Sequence, residues 1–352
     1  MSLKRKVAIL GATGAVGQRY IQLLQGHPWF QIEVLAASER SAGKRYGQAC
    51  SWTMESELPK EVAEMTVADA TVDAVENAGD IDFVFSSLPA DIAGPTESEF
   101  AAFYPVFSKA SSHRMEQDVP LIIPEVNPEH LELISFQQKS RGWKGFISTD
   151  PNCSTIQLAL SLKPLMQFGL KQIIVTTMQA LSGAGYPGVP SLDIIDNVVP
   201  FISKEEEKLE IEALKILGTF EGDTVKNADF QLSASCNRVN VKDGHLESVF
   251  VRFSSDPTVN EIEKAFATFK GEPQKLKLPS APENPIIVRK ELNRPQPRFD
   301  RDAGNGMSVV VGRVRKDPIM TAKYMCLGHN TIRGAAGQGI LGAELAVIKG
   351  LA

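Results

Sequence analysis

After three basic residues, Lys4, Arg5 and Lys6, the chain runs through four apolar positions at 7–10. It then enters Gly-Ala-Thr-Gly-Ala-Val-Gly at 11–17 and continues with Val16, Tyr20, Leu23 and Leu24 at helical spacing. A run apolar on both faces, then a glycine turn, then a 3.6-residue period predicts a buried strand, a tight turn and a helix. Further short apolar runs at 32–37, 83–86 and 121–123, the last closed by Pro124, predict three more strands. Strands alternating with helical segments pair in parallel, so the expected fold class is α/β, a Rossmann-like doubly wound parallel sheet.

The texture changes near residue 150. The pattern predicts a helix from after Asn152 through Leu165, a long strand over 172–181 and a glycine-rich loop at 182–185. A charged helix over 204–217 and alternating segments such as 246–253 follow, which together predict an α+β second domain. The Ala-, Gly- and Leu-rich stretch at 331–349 reads as a helix that packs back onto the first domain.

A length of 352 residues exceeds the size at which a single core keeps growing, which agrees with two domains. Apolar residues make up 43% and charged residues 22%, a composition that suits a soluble chain, and no stretch has membrane-spanning length. A net charge of −5 excludes the basic footprint of a nucleic-acid binder and points to small anions held in local basic pockets. Cys50, Cys153, Cys236 and Cys326 show neither paired spacing nor metal-ligand spacing with the five histidines. They read as reduced thiols of a cytoplasmic protein with no metal.

Gly11, Gly14 and Gly17 stand at a strand-to-helix junction, where glycines let the backbone approach a pyrophosphate and the helix start offers free N–H groups. An ordinary tight turn has the same pattern. The second strand ends in Ser38-Glu39-Arg40-Ser41. Ser38, Arg40 and Ser41 suit a 2′-phosphate and favour NADP, whereas Glu39 suits the ribose hydroxyl of NAD.

In Asp150-Pro151-Asn152-Cys153-Ser154-Thr155 a cysteine falls where a helix begins. The dipole and free N–H groups there favour a thiolate and a developing oxyanion; a buried cysteine in a packed turn is the alternative. Arg238 offers a planar fork to a carboxylate, and His245 follows Gly244 as an acid/base near neutral pH, although each also suits a structural role. The remaining histidines, His27, His113, His130 and His329, read as surface or capping residues.

GATGAVG at 11–17, SSLP at 86–89, PEVNPEH at 124–130, PNCST at 151–155, QALSGAG at 179–185, EEEK at 205–208, CNRV at 236–239 and DGH at 243–245 carry a resemblance. Over almost its whole length the chain resembles the aspartate-semialdehyde dehydrogenase family, in the branch found in archaea and fungi. The resemblance implies reduction of aspartyl phosphate to the semialdehyde through a cysteine thioester, within the biosynthesis of lysine, threonine, methionine and isoleucine. It implies Cys153 as nucleophile, His245 as general acid/base and Gln179 as orienter of the intermediate. For the substrate it implies Arg238 for the carboxylate, Lys208 and Arg114 for phosphate, Ser182 and Gly183 beside them, and Glu205 or Glu206 for the ammonium. For NADP it implies Gly11, Thr13, Gly14, Ala15, Val16, Gly17, Ser38, Arg40, Ser41, Ser86, Ser87, Leu88, Gly185 and Asn330.

The implied division is an NADP-binding domain over 1–150, which 331–352 rejoins, and a catalytic and dimerisation domain over 151–330. The implied assembly is a homodimer or homotetramer. Asp150, in place of Asn, and Asn240, in place of Pro, depart from the family's pattern; an Asp150 carboxylate turned towards Cys153 raises the thiol. Rival readings are a sister acyl reductase acting on N-acetylglutamyl phosphate or malonyl-CoA, and a non-catalytic NADP-binding sensor.

Overall fold

Two sheets organise residues 4–352, which the computed structural model describes; residues 1–3, ahead of the basic stretch, lie outside the described residues. The first sheet contains β1 (Arg5–Leu10), β2 (Phe30–Ala37), β3 (Ala68–Asp69), β4 (Phe83–Ser86), β5 (Pro105–Ser108) and β6 (Phe146–Thr149). They are all parallel, in the order β3-β2-β1-β4-β5-β6. Val7, Ala8, Ile9 and Leu10 are completely buried because helices cover both faces of this sheet, which is why β1 has no polar alternation. The order reverses between β1 and β4, and a crevice opens at their carboxyl ends.

The run at 121–123 is not a strand of this sheet. Leu121 makes one bridge to Thr149, and the Ile123 N–H donates to the Asn127 side chain at 2.8 Å, so Asn127 closes the segment as a loop. The sheet is completed by β5 and β6, four-residue segments too short for periodicity to separate from their surroundings.

The second sheet contains β7 (Leu170–Gln179), β10 (Gln231–Arg238), β11 (His245–Phe253), β12 (Ile286–Arg289), β13 (Val309–Lys316) and β14 (Ala322–Gly328). A separate ribbon pairs β8 (Thr219–Phe220) with β9 (Val225–Lys226). The second sheet is mixed, in the order β10-β7-β11-β14-β13-β12. The helix Cys153–Leu162 lays Ile156, Ala159, Leu160 and Leu162 into one apolar cluster with Val175, Val249 and Val251 of this sheet.

The stretch after 331 is not one continuous helix. A wide turn at Ile332–Ala336, with Ala335 out of helical conformation, precedes the helix Gly337–Ile348. That last helix brings Ile340, Leu341, Ala343, Leu345 and Ala346 into the cluster of Val7, Ile9 and Tyr20 beside the first sheet. Among the described residues no helix is long and apolar enough to cross a membrane.

His27, His113, His130 and His329 are buried rather than superficial. Hydrogen bonds make burial of three of these rings tolerable: His27 to Glu344 at 2.8 Å, His113 to Glu116 at 2.7 Å, and His130 to Asn127 at 2.9 Å.

Candidate active site

Asn152 caps the helix Cys153–Leu162, its side-chain oxygen accepting from Ser154 N at 2.9 Å and Thr155 N at 3.3 Å. Cys153 is therefore the first helical residue, at the positive end of the dipole. Its sulfur lies 3.2 Å from His245 Nε2, and His245 Nδ1 accepts from the Ala180 N–H at 3.0 Å. A ring that accepts at Nδ1 carries its proton on Nε2, so the neutral imidazole presents a donor to the sulfur.

Three strand ends meet here. Arg238 ends β10, Gln179 ends β7 and His245 begins β11, and β7 lies between the other two strands. Arg238 pairs directly with Gln179 in the ladder, so Arg238 and His245 belong to strands on either side of β7, not to one strand-turn unit. Arg238 Nη1 donates to Ala180 O at 2.7 Å. Gly183 covers both side chains: a Cβ there would stand 2.9 Å from Arg238 Nη1 and 3.0 Å from the His245 ring.

The helix Glu205–Ile216 supplies the other wall. Glu205 is buried and accepts from Asn152 Nδ2 at 2.9 Å, Gln179 Nε2 at 3.2 Å and Lys208 Nζ at 3.1 Å. Glu206 points elsewhere, accepting from the Cys236 N–H at 2.9 Å. The geometry thus brings Glu205, not Glu206, into the cluster with Lys208. Arg114 reaches the same helix, donating from Nη1 to Glu212 at 2.9 Å. Asp150 does not face the sulfur; it pairs with Lys109 Nζ at 2.5 Å.

Desolvation, then the negative charge of Glu205, pushes the Cys153 thiol up to about 12, against the pull of Arg238 and Arg114. Burial first, then Arg238 and His329, pushes His245 down to about 3. The resting pair is therefore a neutral thiol and a neutral imidazole. Burial also pushes Lys109 down to about 8, although Asp150 opposes the shift.

At the other end of the crevice Gly11 adopts φ +74°, and a Cβ on it would meet Ser87 O at 2.7 Å. Gly17 also has to be glycine, since its Cβ would stand 2.4 Å from Gly11 O. Ser87 Oγ donates to Leu10 O at 2.9 Å and braces the turn, whereas Ser86 Oγ is turned away onto buried Glu97 at 2.6 Å. Gly14 caps the helix Ala15–Leu24 without a side-chain bond, so N–H groups of Ala15, Val16 and Gly17 are left for an anion. Thr13 offers its carbonyl to Gln18 Nε2 at 3.0 Å. Ser38 and Arg40 are exposed and Ser41 half-buried in the turn after β2, where Ser41 N bonds Ser38 O at 2.8 Å; Leu88, after β4, is buried. This uncapped, glycine-lined cradle fits a dinucleotide pyrophosphate.

A cavity of about 310 Å³ lies between the first helix and the loop after β7, lined by Ala15, Arg19, Ser182, Gly185, Lys242 and Thr331 among others. Asn330 sits at its inner edge, donating to Ser182 Oγ at 2.7 Å and accepting from Gly244 N at 2.8 Å. No group of three metal-ligating side chains forms among the described residues.

Sequence reasoning did not single out the Ala180 N–H, Glu212, Lys109, Arg19 or Gly334. Gly334 lies against the nucleophile, where a Cβ would stand 2.8 Å from that of Cys153. Only Glu212 left a trace in the sequence, seven residues after Glu205 on the same helical face.

Known proteins resemble this chain along nearly its whole length. Residues 6–134 match the family model for the semialdehyde dehydrogenase NAD binding domain, and 162–333 that for the semialdehyde dehydrogenase dimerisation domain. The aspartate-semialdehyde dehydrogenase of Archaeoglobus fulgidus is 55% identical, with 98% of both chains covered. The malonyl CoA reductase (NADP) of Metallosphaera sedula is 45% identical over 98% of this chain and 97% of its own. The crystal structure of the Candida albicans aspartate-semialdehyde dehydrogenase with NADP superposes with a TM-score of 0.91 at 42% identity, covering 99% of this chain and 100% of that one. A helix-start cysteine against histidine, a glycine cradle on a parallel sheet and matches along nearly the whole length lead to one assignment: the chain belongs to the semialdehyde dehydrogenase family.

Proposed function

We propose that this chain is an NADP-dependent aspartate-semialdehyde dehydrogenase of amino-acid biosynthesis, interconverting L-aspartyl 4-phosphate and the 4-semialdehyde. The observation that carries this reading is the set of charges around one sulfur. Arg238 offers a fork to the α-carboxylate, Glu205 a buried carboxylate to the ammonium, and Lys208 with Arg114 cations to phosphate. A malonyl thioester has no ammonium to set against Glu205, and its free carboxylate would be repelled there. The same absence of a cation disfavours an N-acetylated substrate.

In the oxidative direction the Cys153 thiol releases its proton to solvent and the thiolate adds to the aldehyde carbon, the C–S bond forming as the carbonyl π bond opens onto oxygen. His245 donates from Nε2 to the oxygen on which charge develops. Gln179 and Arg238 hold the adduct at the strand ends. The bound dinucleotide supplies the hydride acceptor. Phosphate held by Lys208 and Arg114 then attacks the thioester carbon, the C–S bond breaks, and the sulfur departs as thiolate. Ser182, Gly183, Gly185 and Asn330 line the approach, and the glycine cradle with Ser38, Arg40 and Ser41 would hold the cofactor.

The proposed division assigns residues 1–150, with 331–352, to the cofactor and 151–330 to catalysis and dimerisation. A homodimer is supported by the exposed apolar side chains Ile174, Leu192, Ile195, Val198 and Phe201 in the region matched by the dimerisation model. A homotetramer would pair two such dimers. A cytoplasmic location fits four free cysteines.

The test is a spectrophotometric assay with aspartate semialdehyde and phosphate, comparing NADP with NAD, and in reverse with malonyl-CoA as rival donor. Phosphate-dependent NADP reduction with no turnover of malonyl-CoA is the expected result; turnover of malonyl-CoA alone would overturn the assignment.

A further inference from the structure

The helix Glu205–Ile216 buries three charged side chains, Glu205, Glu212 and Lys215, as well as an apolar row, with Lys208 half-buried among them. Leu209, Ala213 and Ile216 face the core, while Glu205, Lys208, Glu212 and Lys215, spaced three, four and three residues apart, share the neighbouring stripe. Glu205 and Lys208 belong to the substrate cluster. Glu212 and Lys215 have no part in the reaction described above, yet they are 2% and 5% exposed.

Both grip the segment that carries Arg114. Lys215 Nζ donates to the carbonyls of Arg114 at 2.8 Å, Glu116 at 2.7 Å and Val119 at 2.8 Å, which fixes the backbone. Glu212 Oε1 accepts from Arg114 Nη1 at 2.9 Å, and Arg114 Nη2 donates to Lys109 O at 2.8 Å, which fixes the guanidinium. With both ends held, Arg114 Nε remains buried without a partner among the described residues. Glu212 Oε2 in turn accepts from the backbone N–H of Asn152 at 2.7 Å, the residue immediately before the nucleophile. One carboxylate therefore bonds both the cap of the nucleophile's helix and the arginine.

We propose that Glu212 is a positioning residue for the phosphate step, setting the Arg114 guanidinium at a fixed offset from Cys153 so that its free N–H meets the incoming phosphate. The proposal rests on the phosphorylating reaction argued above. A carboxylate is required because both of its contacts are donors. Glutamine at 212 keeps the shape but turns an N–H₂ towards one of them, leaving Arg114 or Asn152 without an acceptor. Glu212 acts through Arg114, so its loss should be felt by phosphate and not by the dinucleotide, whose cradle lies on other elements.

The test compares wild type, Glu212→Gln, Arg114→Ala and the double variant in the oxidative direction, with inorganic phosphate as the varied ligand. Glu212→Gln is expected to raise the KM for phosphate by about tenfold or more with the KM for NADP unchanged. The double variant is expected to be no worse than Arg114→Ala alone, because the two residues act as one unit. Protection of Cys153 from iodoacetamide by inorganic phosphate, measured without turnover, should weaken in Glu212→Gln. If Glu212→Gln does not fold, Glu212→Asp, which keeps the charge and withdraws it by one methylene, should show the same phosphate-selective loss. Multiplying defects in the double variant, or equal losses for phosphate and NADP, would overturn the proposal. A wild-type enzyme that reduces NADP with no need for phosphate would instead overturn the reading on which it stands.

Discussion

Cys153 Sγ stands 3.2 Å from His245 Nε2, and the other nitrogen of that ring is occupied by the Ala180 N–H at 3.0 Å. An imidazolium would set an Nδ1 proton against that N–H, which burial and Arg238 already oppose. His245 is thus held as a neutral donor, which suits the proposed role of stabilising charge on sulfur and then on oxygen. His245→Asn should lower kcat by roughly 10²–10³-fold with little change in the KM for the semialdehyde. Steady-state kinetics decide it; a near-normal kcat would make the ring scaffold.

The charge of Glu205 is one reason the Cys153 thiol titrates high, near 12. Removing that charge lowers the thiol's pKa, so more thiolate is present at a given pH, about tenfold more for each pKa unit recovered. Glu205→Gln should therefore be alkylated faster by iodoacetamide at pH 8 than wild type while turning over more slowly. An unchanged alkylation profile would mean that this carboxylate does not reach the sulfur. A substrate ammonium set against Glu205 would act in the same direction, raising the thiolate fraction when the substrate arrives.

Gly334→Ala places a methyl group 2.8 Å from the Cys153 Cβ, at the start of a helix whose cap is bonded on several sides. Overpacking of this kind costs about 1–3 kcal/mol. Urea denaturation should show a lower midpoint, and kcat should fall more than the affinity for NADP. A variant with wild-type stability and kcat would mean that the wide turn at 332–336 gives way freely.

Arg40→Glu tests the cofactor's 2′-phosphate. It removes a cation from the turn after β2 and adds repulsion, so the preference for NADP over NAD should fall by about 1–3 kcal/mol. The ratio of kcat/KM for the two cofactors measures this; an unchanged ratio would assign the discrimination to Ser38 or Ser41.

The readable parts of the sequence were those where local chemistry demands a residue type. Gly11 needs positive φ and Gly17 needs close approach, so the glycine turn announced itself. The alternation of 246–253 likewise matches β11, which is buried on every second residue. The segment at 121–123 looked like a strand because its residues are buried, but the burial comes from a loop pinned by Asn127. Arg238 and His245 lie seven residues apart in the sequence, and no local signal could report that β7 is inserted between them. Glu206 and Glu205 are neighbours with the same chemistry; only their 100° separation around the helix, set against its packing, distinguishes them. The Ala180 N–H is invisible in a sequence because every residue but proline has one.

The helix Gly337–Ile348 covers apolar residues of a sheet whose last strand ends at Thr149. During synthesis the ribosome makes that cover only after nearly two hundred intervening residues, which at about 5–20 residues per second takes roughly 10–40 seconds. For that interval the underside of the nascent nucleotide fold, around Val7, Ile9 and Tyr20, lacks its lid of Ile340, Leu341 and Leu345. The vulnerability of this protein in a cell therefore lies less in its finished state than in its making. A polypeptide stalled before residue 337 would present a sticky, half-sealed sheet to chaperones and proteases, however well the residues already made had been placed.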